Sequence, residues 1–332
     1  MARILIFADD LTGAADSAGG FIGKSSEVVV ALDERIRVRA PVLSIDLDTR
    51  MLDEDAACAK VEQAFSRRRA READILFKKI DSTLRGHVVE ELRAAREALG
   101  PKRPILFAPA FPAQGRTVRN GVVHVNGRPL RGGNLARLLG REDISICDAE
   151  TDSDLRAIAR KGLALRPRPL FVGSAGLARA LATSLPRRRS RSRTRLQRGQ
   201  IAVVVGSASP ASVRQAKRLA AIAERESVAL YQLEWTRAPT AADTALVHAF
   251  GRIAARHPDC AAYVLTGGET ARAVLGARGV RGFRLLGEVE PGVPFGVSIP
   301  QGLAVCTKAG GFGGPDTLVH CIARLKREMR SS

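Results

Sequence analysis

The chain has 332 residues, more than one hydrophobic core usually serves, and 45% of them are apolar, so two ordinary domains are expected. Only 4% are aromatic, with one Trp and two Tyr, which argues against a surface that stacks bases or binds through aromatic anchors. The formal charge of +19 is large enough to draw nucleic acid, anionic membrane or anionic metabolites, but all except nine of the 53 basic residues are Arg, and a general Arg bias explains the excess equally well.

From the N-terminus, Met1-Ala2-Arg3 runs straight into the apolar Ile4 to Ala8 and then two Asp, too short and too soon acidic for a signal peptide. No apolar run approaches the ~20 residues of a membrane span. Strands are predicted at Ile4 to Ala8, Val28 to Ala31, Val42 to Ile45, Ile75 to Lys78, Ile105 to Ala108 and Leu170 to Val172, with Ala/Arg/Leu-rich helical stretches between them. Pro186 to Arg195 is polar and like-charged, reading as a solvated linker, with a nucleic-acid-binding arm as the other reading. Ile201 to Val205, Ala261 to Leu265 and Leu303 to Thr307 follow as strands of a second, smaller domain. The fold class is α/β with two domains, each a mainly parallel sheet flanked by helices, at 1–185 and 201–330 with a basic linker at 186–200. The five cysteines, Cys58, Cys147, Cys260, Cys306 and Cys321, show neither metal nor disulfide spacing and fit a reducing cytoplasm.

The polar residues gather where strands end. Ile4 to Ala8 leads into Asp9-Asp10-Leu11-Thr12-Gly13, two carboxylates at the carboxyl edge of a sheet, where open α/β folds bind ligands. A helix N-cap would need only one of those acids. Lys78-Lys79-Ile80-Asp81-Ser82-Thr83-Leu84-Arg85 packs three cations, a carboxylate and two hydroxyls together, suited to hold an anionic substrate through Lys78, Lys79 and Arg85 while Asp81 accepts from hydroxyls. Arg50 and Arg116 follow two further strands, Arg116 being equally readable as a surface residue.

In the second half, Gly206-Ser207-Ala208-Ser209, Gly267-Gly268-Glu269-Thr270 and Lys308-Ala309-Gly310-Gly311-Phe312-Gly313-Gly314 each follow a strand. Such turns present backbone N–H groups to phosphate, although any one alone is ordinary β–α loop chemistry. There is no P-loop, no protein-kinase motif set and no opening G-x-G-x-x-G. Gly173-Ser174-Ala175-Gly176 lacks the G-x-S-x-G pattern and reads as a strand-to-helix turn.

Taken in order with Phe111-Pro112-Ala113-Gln114-Gly115-Arg116, these motifs resemble the four-carbon acid sugar kinase family over almost the whole chain. The resemblance implies an N-terminal acid-sugar-binding domain, a C-terminal nucleotide-binding domain, an active site in the interdomain cleft, and a bacterial catabolic role. The reaction it implies is ATP-dependent phosphorylation of the terminal hydroxyl of a tetronate such as threonate, erythronate or 3-oxo-tetronate. Asp9, Asp10, Arg50, Lys78, Lys79, Asp81, Ser82, Arg85 and Arg116 would then contact the acid, with Asp10 or Asp81 orienting or deprotonating the hydroxyl. Ser207, Ser209, Gly267, Gly268, Glu269, Thr270, Gly310, Gly311 and Gly313 would contact ATP. Mg²⁺ is expected on the phosphates, its protein ligands unidentified.

The chain departs from the family pattern by its shortness after Val125-Asn126-Gly127-Arg128-Pro129-Leu130, where Arg131-Gly132-Gly133-Asn134 replaces an acidic segment, and in the nucleotide domain. A kinase of another small hydroxy acid, or a non-catalytic, basic nucleic-acid-binding or regulatory protein retaining the fold, are the competing readings. Nucleic acid is disfavoured as a partner, no membrane is expected, and the oligomeric state, a homodimer included, is left open.

Overall fold

The computed structural model describes residues 3–140, 143–187, 196–224, 228–237, 240, 243–257 and 260–330. Residues 188–195, most of the predicted basic linker, lie outside the described residues. Two compact units result: the described parts of Met1–Val28 and Arg37–Ser190 form the first, those of Val29–Ile36 and Arg191–Ser332 the second.

In chain order the first half carries β1 (Ile4–Ala8), α1 (Leu11–Gly19), β2 (Val28–Ala31), β3 (Val42–Asp46), α2 (Glu54–Ser66), α3 (Arg68–Arg71), β4 (Ile75–Lys79), α4 (Val88–Leu99) and β5 (Ile105–Ala108). There follow β6 (Arg116–Arg119), β7 (Val122–Val125), β8 (Arg128–Asn134), α5 (Leu135–Leu139), β9 (Ile144–Ile146), α6 (Asp152–Ala164), β10 (Leu170–Gly173) and α7 (Ala175–Thr183). Six of these strands form the first unit's sheet in the order β3-β1-β4-β10-β5-β9, every neighbouring pair parallel. All five residues of β1 are buried, as a central parallel strand covered on both faces requires, so its apolar residues run continuously rather than alternate. Helix α1 is likewise buried along its whole length, packing on β1, β3 and α7.

Strand β4 extends one residue beyond the predicted Lys78, and that residue is Lys79. Successive strand residues project to opposite faces. The buried Lys78 Nζ accordingly meets Glu91 Oε2 of α4 at 2.5 Å, while Lys79 approaches Gly13 of α1. Phe7 stacks beside Phe65 of α2 with ring centroids 4.7 Å apart, tying that helix to β1.

The small antiparallel sheet β6-β7-β8 was not among the predicted strands. Asn120-Gly121 and Asn126-Gly127 turn its first and second corners with positive φ at all four residues, the backbone that two-residue hairpins need. The signal was therefore in the sequence as two Asn-Gly pairs, but the flanking strands are short and mostly half-exposed, so they lack the apolar runs that mark the others.

The second half supplies β11 (Gln200–Val205), α8 (Pro210–Ala220), β12 (Val228–Gln232), α9 (Thr244–Ala255), β13 (Cys260–Thr266), α10 (Gly268–Ala277), β14 (Gly282–Glu288), β15 (Pro294–Ile299), β16 (Ala304–Lys308) and α11 (Thr317–Arg330). Its strand order is β12-β11-β13-β16-β15-β14-β2. The pairs from β12 to β16 are parallel, and those from β16 to β2 antiparallel. Thus β2, read in the sequence as a strand of the first domain, pairs with β14 through Val29, Val30 and Ala31 and belongs to the second unit. The unit's core is aliphatic, with Val203, Val264, Phe295, Cys306, Leu318 and Ile322 at its centre. None of the described helices is long and apolar enough to cross a membrane.

Removing one member of the Lys78–Glu91 pair strands a buried charge, and such losses cost about 3–5 kcal/mol. Glu91→Ala should therefore lower unfolding free energy by roughly that amount in a urea titration. The double replacement Lys78→Met with Glu91→Leu should recover most of it.

Candidate active site

The ends of β1, β3 and β4 bring Asp9, Asp10, Arg50, Lys79 and Asp81 into one buried charge cluster. Arg50 Nε donates to Asp9 Oδ2 at 2.8 Å, and its Nη2 donates to Asp10 Oδ1 at 2.8 Å and lies 3.9 Å from Asp81 Oδ1. Asp10 is also the N-cap of α1, accepting from the Gly13 N–H at 3.0 Å and, through its other oxygen, from the Thr12 hydroxyl at 2.6 Å. Asp81 is enclosed by its own loop: Arg85 binds both its oxygens at 2.9 and 2.7 Å, and the Thr83 amide donates at 3.0 Å with the Thr83 hydroxyl alongside.

Three carboxylates so close are tolerable only because each is differently compensated. Burial would raise Asp10, but Arg50, Lys79 and the Thr12 hydroxyl outweigh it and hold its carboxyl below the ordinary value. At Asp81 burial is likewise overcome, by the Arg85 hydrogen bonds and the charges of Arg50 and Arg85, and the carboxyl is held far below that range. Asp9 goes the other way, its proton affinity raised by burial against the pull of Arg50 and Lys79. Burial opposes the charge on Arg50 too, yet Asp10, Asp9 and Asp81 make its guanidinium harder still to deprotonate.

Of the other residues expected here, Ser82 sits half-buried in the turn beside Asp81, and Arg85 is exposed but fully engaged with that carboxylate. Arg116 lies within electrostatic reach of Asp81 and Arg85; it donates to the Gln114 carbonyl, while its Nε is buried without a hydrogen-bond partner. Lys78 is the correction: expected at the substrate, it is instead turned to Glu91 by strand alternation and serves the β4–α4 contact. Ser174 caps α7 and donates to the Ala110 carbonyl at 2.6 Å, a structural turn.

In the second unit the three Gly-rich turns meet. A Cβ on Gly206 would fall 2.0 Å from Thr270 Oγ1, and one on Gly310 would fall 2.1 Å from Ser207 Oγ, so neither position admits a side chain without displacing its neighbour. The Gly267 N–H donates to the Lys308 carbonyl at 2.9 Å, and Ser209, N-cap of α8, and Ser212 both donate to the Gly310 carbonyl. Gln215 Nε2 fastens the same loop by donating to the Phe312 and Gly314 carbonyls at 3.0 and 2.8 Å. Glu269, expected at the nucleotide, pairs with His248 Nε2 at 2.9 Å. Among the described residues no side chain lies near where a Cβ would stand on Gly311 or Gly314, and the buried Thr266 and Thr307 hydroxyls have no hydrogen-bond partner. A glycine loop held through its carbonyls and uncrowded at Gly311 and Gly314 has the character of an anion-binding turn.

Residues 4–138 and 131–181 match a family model described as a sugar-binding N-terminal domain, and residues 221–318 match one described as a nucleotide-binding C-terminal domain. A Bordetella bronchiseptica protein named D-threonate kinase is 32% identical, with 98% of each chain covered. The chain belongs to the four-carbon acid sugar kinase family. A second D-threonate kinase, from Cupriavidus necator, is 31% identical over 95% of this chain and 96% of its own. That alignment runs over 416 positions, more than this chain's 332 residues, so the relative carries segments that are missing here. In fold, the chain is similar to a solved Haemophilus influenzae protein of the DUF1537 family, with a TM-score of 0.71 at 18% identity over 96% of this chain and 99% of that one. Membership makes the chain a phosphotransferase; the charge cluster lies within the sugar-binding match, whereas of the three Gly-rich turns those at 267–270 and 308–314 lie within the nucleotide-binding match and that at 206–209 lies outside it.

Several contributors escaped the sequence reading. Gly13 leaves room for Lys79, whose Nζ would be 2.6 Å from a Cβ there. Lys308 Nζ is enclosed by the Ala309, Gly310 and Phe312 carbonyls and the Ser212 hydroxyl at 3.0 to 3.2 Å, holding the glycine loop in shape. Trp235 donates to the Gly206 carbonyl at 3.0 Å. Gly13, closing the Asp9-Asp10-Leu11-Thr12-Gly13 motif, and Lys308, opening the Gly-rich run, carried a sequence signal; Trp235 did not.

Gly13→Ala should push Lys79 and Asp10 apart and reduce kcat/KM on the order of 10²-fold, with the melting temperature little changed. Burial lowers the Lys308 pKa to about 8, so its ammonium is present below that pH and lost above it. Titrating Mg-ATP against the fluorescence of Trp235, the chain's one Trp, should show affinity falling as pH rises through about 8. Lys308→Met should bind weakly throughout, with that dependence gone.

Proposed function

We propose that the chain transfers the γ-phosphoryl group of ATP to the terminal hydroxyl of a four-carbon acid sugar: threonate, erythronate or 3-oxo-tetronate. The observation that carries this reading is the buried cluster of Asp9, Asp10, Arg50, Lys79 and Asp81 at adjacent strand ends, a concentration of charge that no packing need explains. The names of the two kinase relatives favour D-threonate within that set.

Phosphoryl transfer is mostly positioning and charge neutralisation. On this reading Lys79 and Arg116 face the acid's oxygens, Ser82 adds a hydroxyl contact, and Arg50 fixes the orientation of Asp9 and Asp10. Asp10 and Asp81, whose oxygens are committed to protein donors, orient rather than accept a proton. Ser207, Ser209, the Gly267–Thr270 turn and the Gly310–Gly313 loop hold the phosphates by backbone and hydroxyl donors. Mg²⁺, when bound, supplies charge neutralisation at the β- and γ-phosphates. Among the described residues no group of three or more His, Cys, Asp or Glu could hold a metal, which suits an ion carried chiefly by phosphate and water oxygens. The transfer requires the hydroxyl and the γ-phosphate to be brought together away from water, in the interdomain cleft on this proposal. The free thiols support a reducing, cytoplasmic setting.

ADP release with Mg-ATP, measured against D- and L-threonate, D- and L-erythronate, 3-oxo-tetronates and three- to six-carbon acids, tests the proposal. One strong responder among the four-carbon acids is the expected result. A response confined to acids of other lengths would move the chain to a different substrate. No response, with no ATP binding, would remove the kinase reading.

A further inference from the structure

Asp9 and Lys79, near neighbours in the first unit's cluster, each keep bonding capacity unused. Asp9 Oδ2 accepts from Arg50, whereas Oδ1 is buried and accepts no hydrogen bond among the described residues. Lys79 is buried too, and its Nζ, 4.0 Å from Asp9 Oδ1, donates none of the hydrogen bonds found among the described residues. Buried groups left unsatisfied are costly, and proteins keep few of them without a ligand or an ordered water to pair with. A separation of 4.0 Å is too long for a direct hydrogen bond, yet one oxygen placed about 2.8 Å from both atoms satisfies both. That oxygen must accept from the ammonium and donate to the carboxylate. A water can do both, and so can a substrate hydroxyl that displaces it, while an ionised phosphate, a carboxylate or a ketone oxygen can only accept.

We infer that Asp9 Oδ1 is the general base of the phosphoryl transfer and that Lys79 Nζ holds the attacking hydroxyl oxygen against it. The inference rests on the kinase reading above. In the step, the substrate O–H bond breaks and its proton goes to Asp9 Oδ1. The same oxygen forms a bond to the γ-phosphorus of a nucleoside triphosphate, and the bond from that phosphorus to the β–γ bridging oxygen breaks, its electron pair leaving with the nucleoside diphosphate. Asp9 then releases the proton to solvent. The neighbours fit the assignment: Asp10 is committed to Gly13, Thr12 and Arg50, and Asp81 to Arg85 and Thr83. The charged groups around Asp9 are Arg50 after β3, Lys79 and Lys78 on β4, and the adjacent Asp10. Burial together with Asp10 raises its proton affinity against those three cations, in the direction a general base needs.

The test is steady-state kinetics of the full chain with Mg-ATP and the acid that the wild type phosphorylates, from acid to neutral pH. Asp9→Asn is expected to lower kcat by about 10²–10⁴-fold with a smaller change in KM, and its residual activity should lose the acid limb of the kcat profile. Asp9→Glu should recover part of the rate with that limb displaced, and carries the test alone if the Asn variant does not fold. Asp10→Asn and Asp81→Asn should change KM and keep the limb. An Asp9→Asn kcat within about tenfold of wild type, or a limb that Asp9→Glu leaves in place, overturns the assignment while leaving the kinase reading intact. A wild type that turns over none of the acids overturns both.

Discussion

The first unit's site depends on one half-buried guanidinium. Two adjacent carboxylates at a buried strand end would repel each other and could not both stay ionised without a cation between them. Arg50 meets that need with a planar fork that reaches Asp9 and Asp10 at once and comes near Asp81, something a lysine's single point of charge does less well. With Arg50 engaged in this way, Lys79 keeps donors to offer beside Asp9 Oδ1, which accepts no hydrogen bond among the described residues.

The second unit solves a different problem. A glycine-rich loop has no side chains to hold it, and its conformational freedom would blunt any phosphate site it formed. Here the fastening comes from behind: Lys308 and Gln215 grip successive carbonyls, and Ser209 and Ser212 share the Gly310 carbonyl. Carbonyls serve as the handles, and of the loop's N–H groups that of Phe312 is turned inward to the Ala309 carbonyl at 3.0 Å. Close packing of Gly206 on Thr270 and of Gly310 on Ser207 joins three turns, far apart in sequence, into one surface.

The kinase relative from Cupriavidus necator carries segments that this chain lacks. The sugar-binding match falls in two stretches that meet over residues 131–138, beside the β6-β7-β8 sheet. Two tight Asn-Gly turns make that sheet compact, and Arg116 at its first strand is the residue that connects it electrostatically to Asp81 and Arg85. The net charge of +19 needs no nucleic-acid partner to account for it: many Arg residues are engaged locally, with Asp16, Asp81, Glu150 and Asp243 among their partners.

The sequence by itself determined the α/β class, the nine strands with uninterrupted apolar runs, and the strand-end motifs, because burial on both faces of a parallel sheet writes a continuous hydrophobic signal and ligand loops follow it directly. It could not show that β2 joins the second unit, since pairing with β14, some 250 residues later, is a long-range choice that local pattern does not encode. The small β6-β7-β8 sheet was missed because partly exposed strands carry weak periodicity, whereas β14 and β15 are largely buried but contain Gly282, Gly287, Pro294 and Gly296, which break the apolar run. Which of two neighbouring lysines meets the site was decided by the register of β4, where one residue's shift exchanges the faces of Lys78 and Lys79. The division of labour among Asp9, Asp10 and Asp81 was likewise tertiary, because a carboxylate's proton affinity is set by the donors that surround it, and those donors come from separate strands and loops.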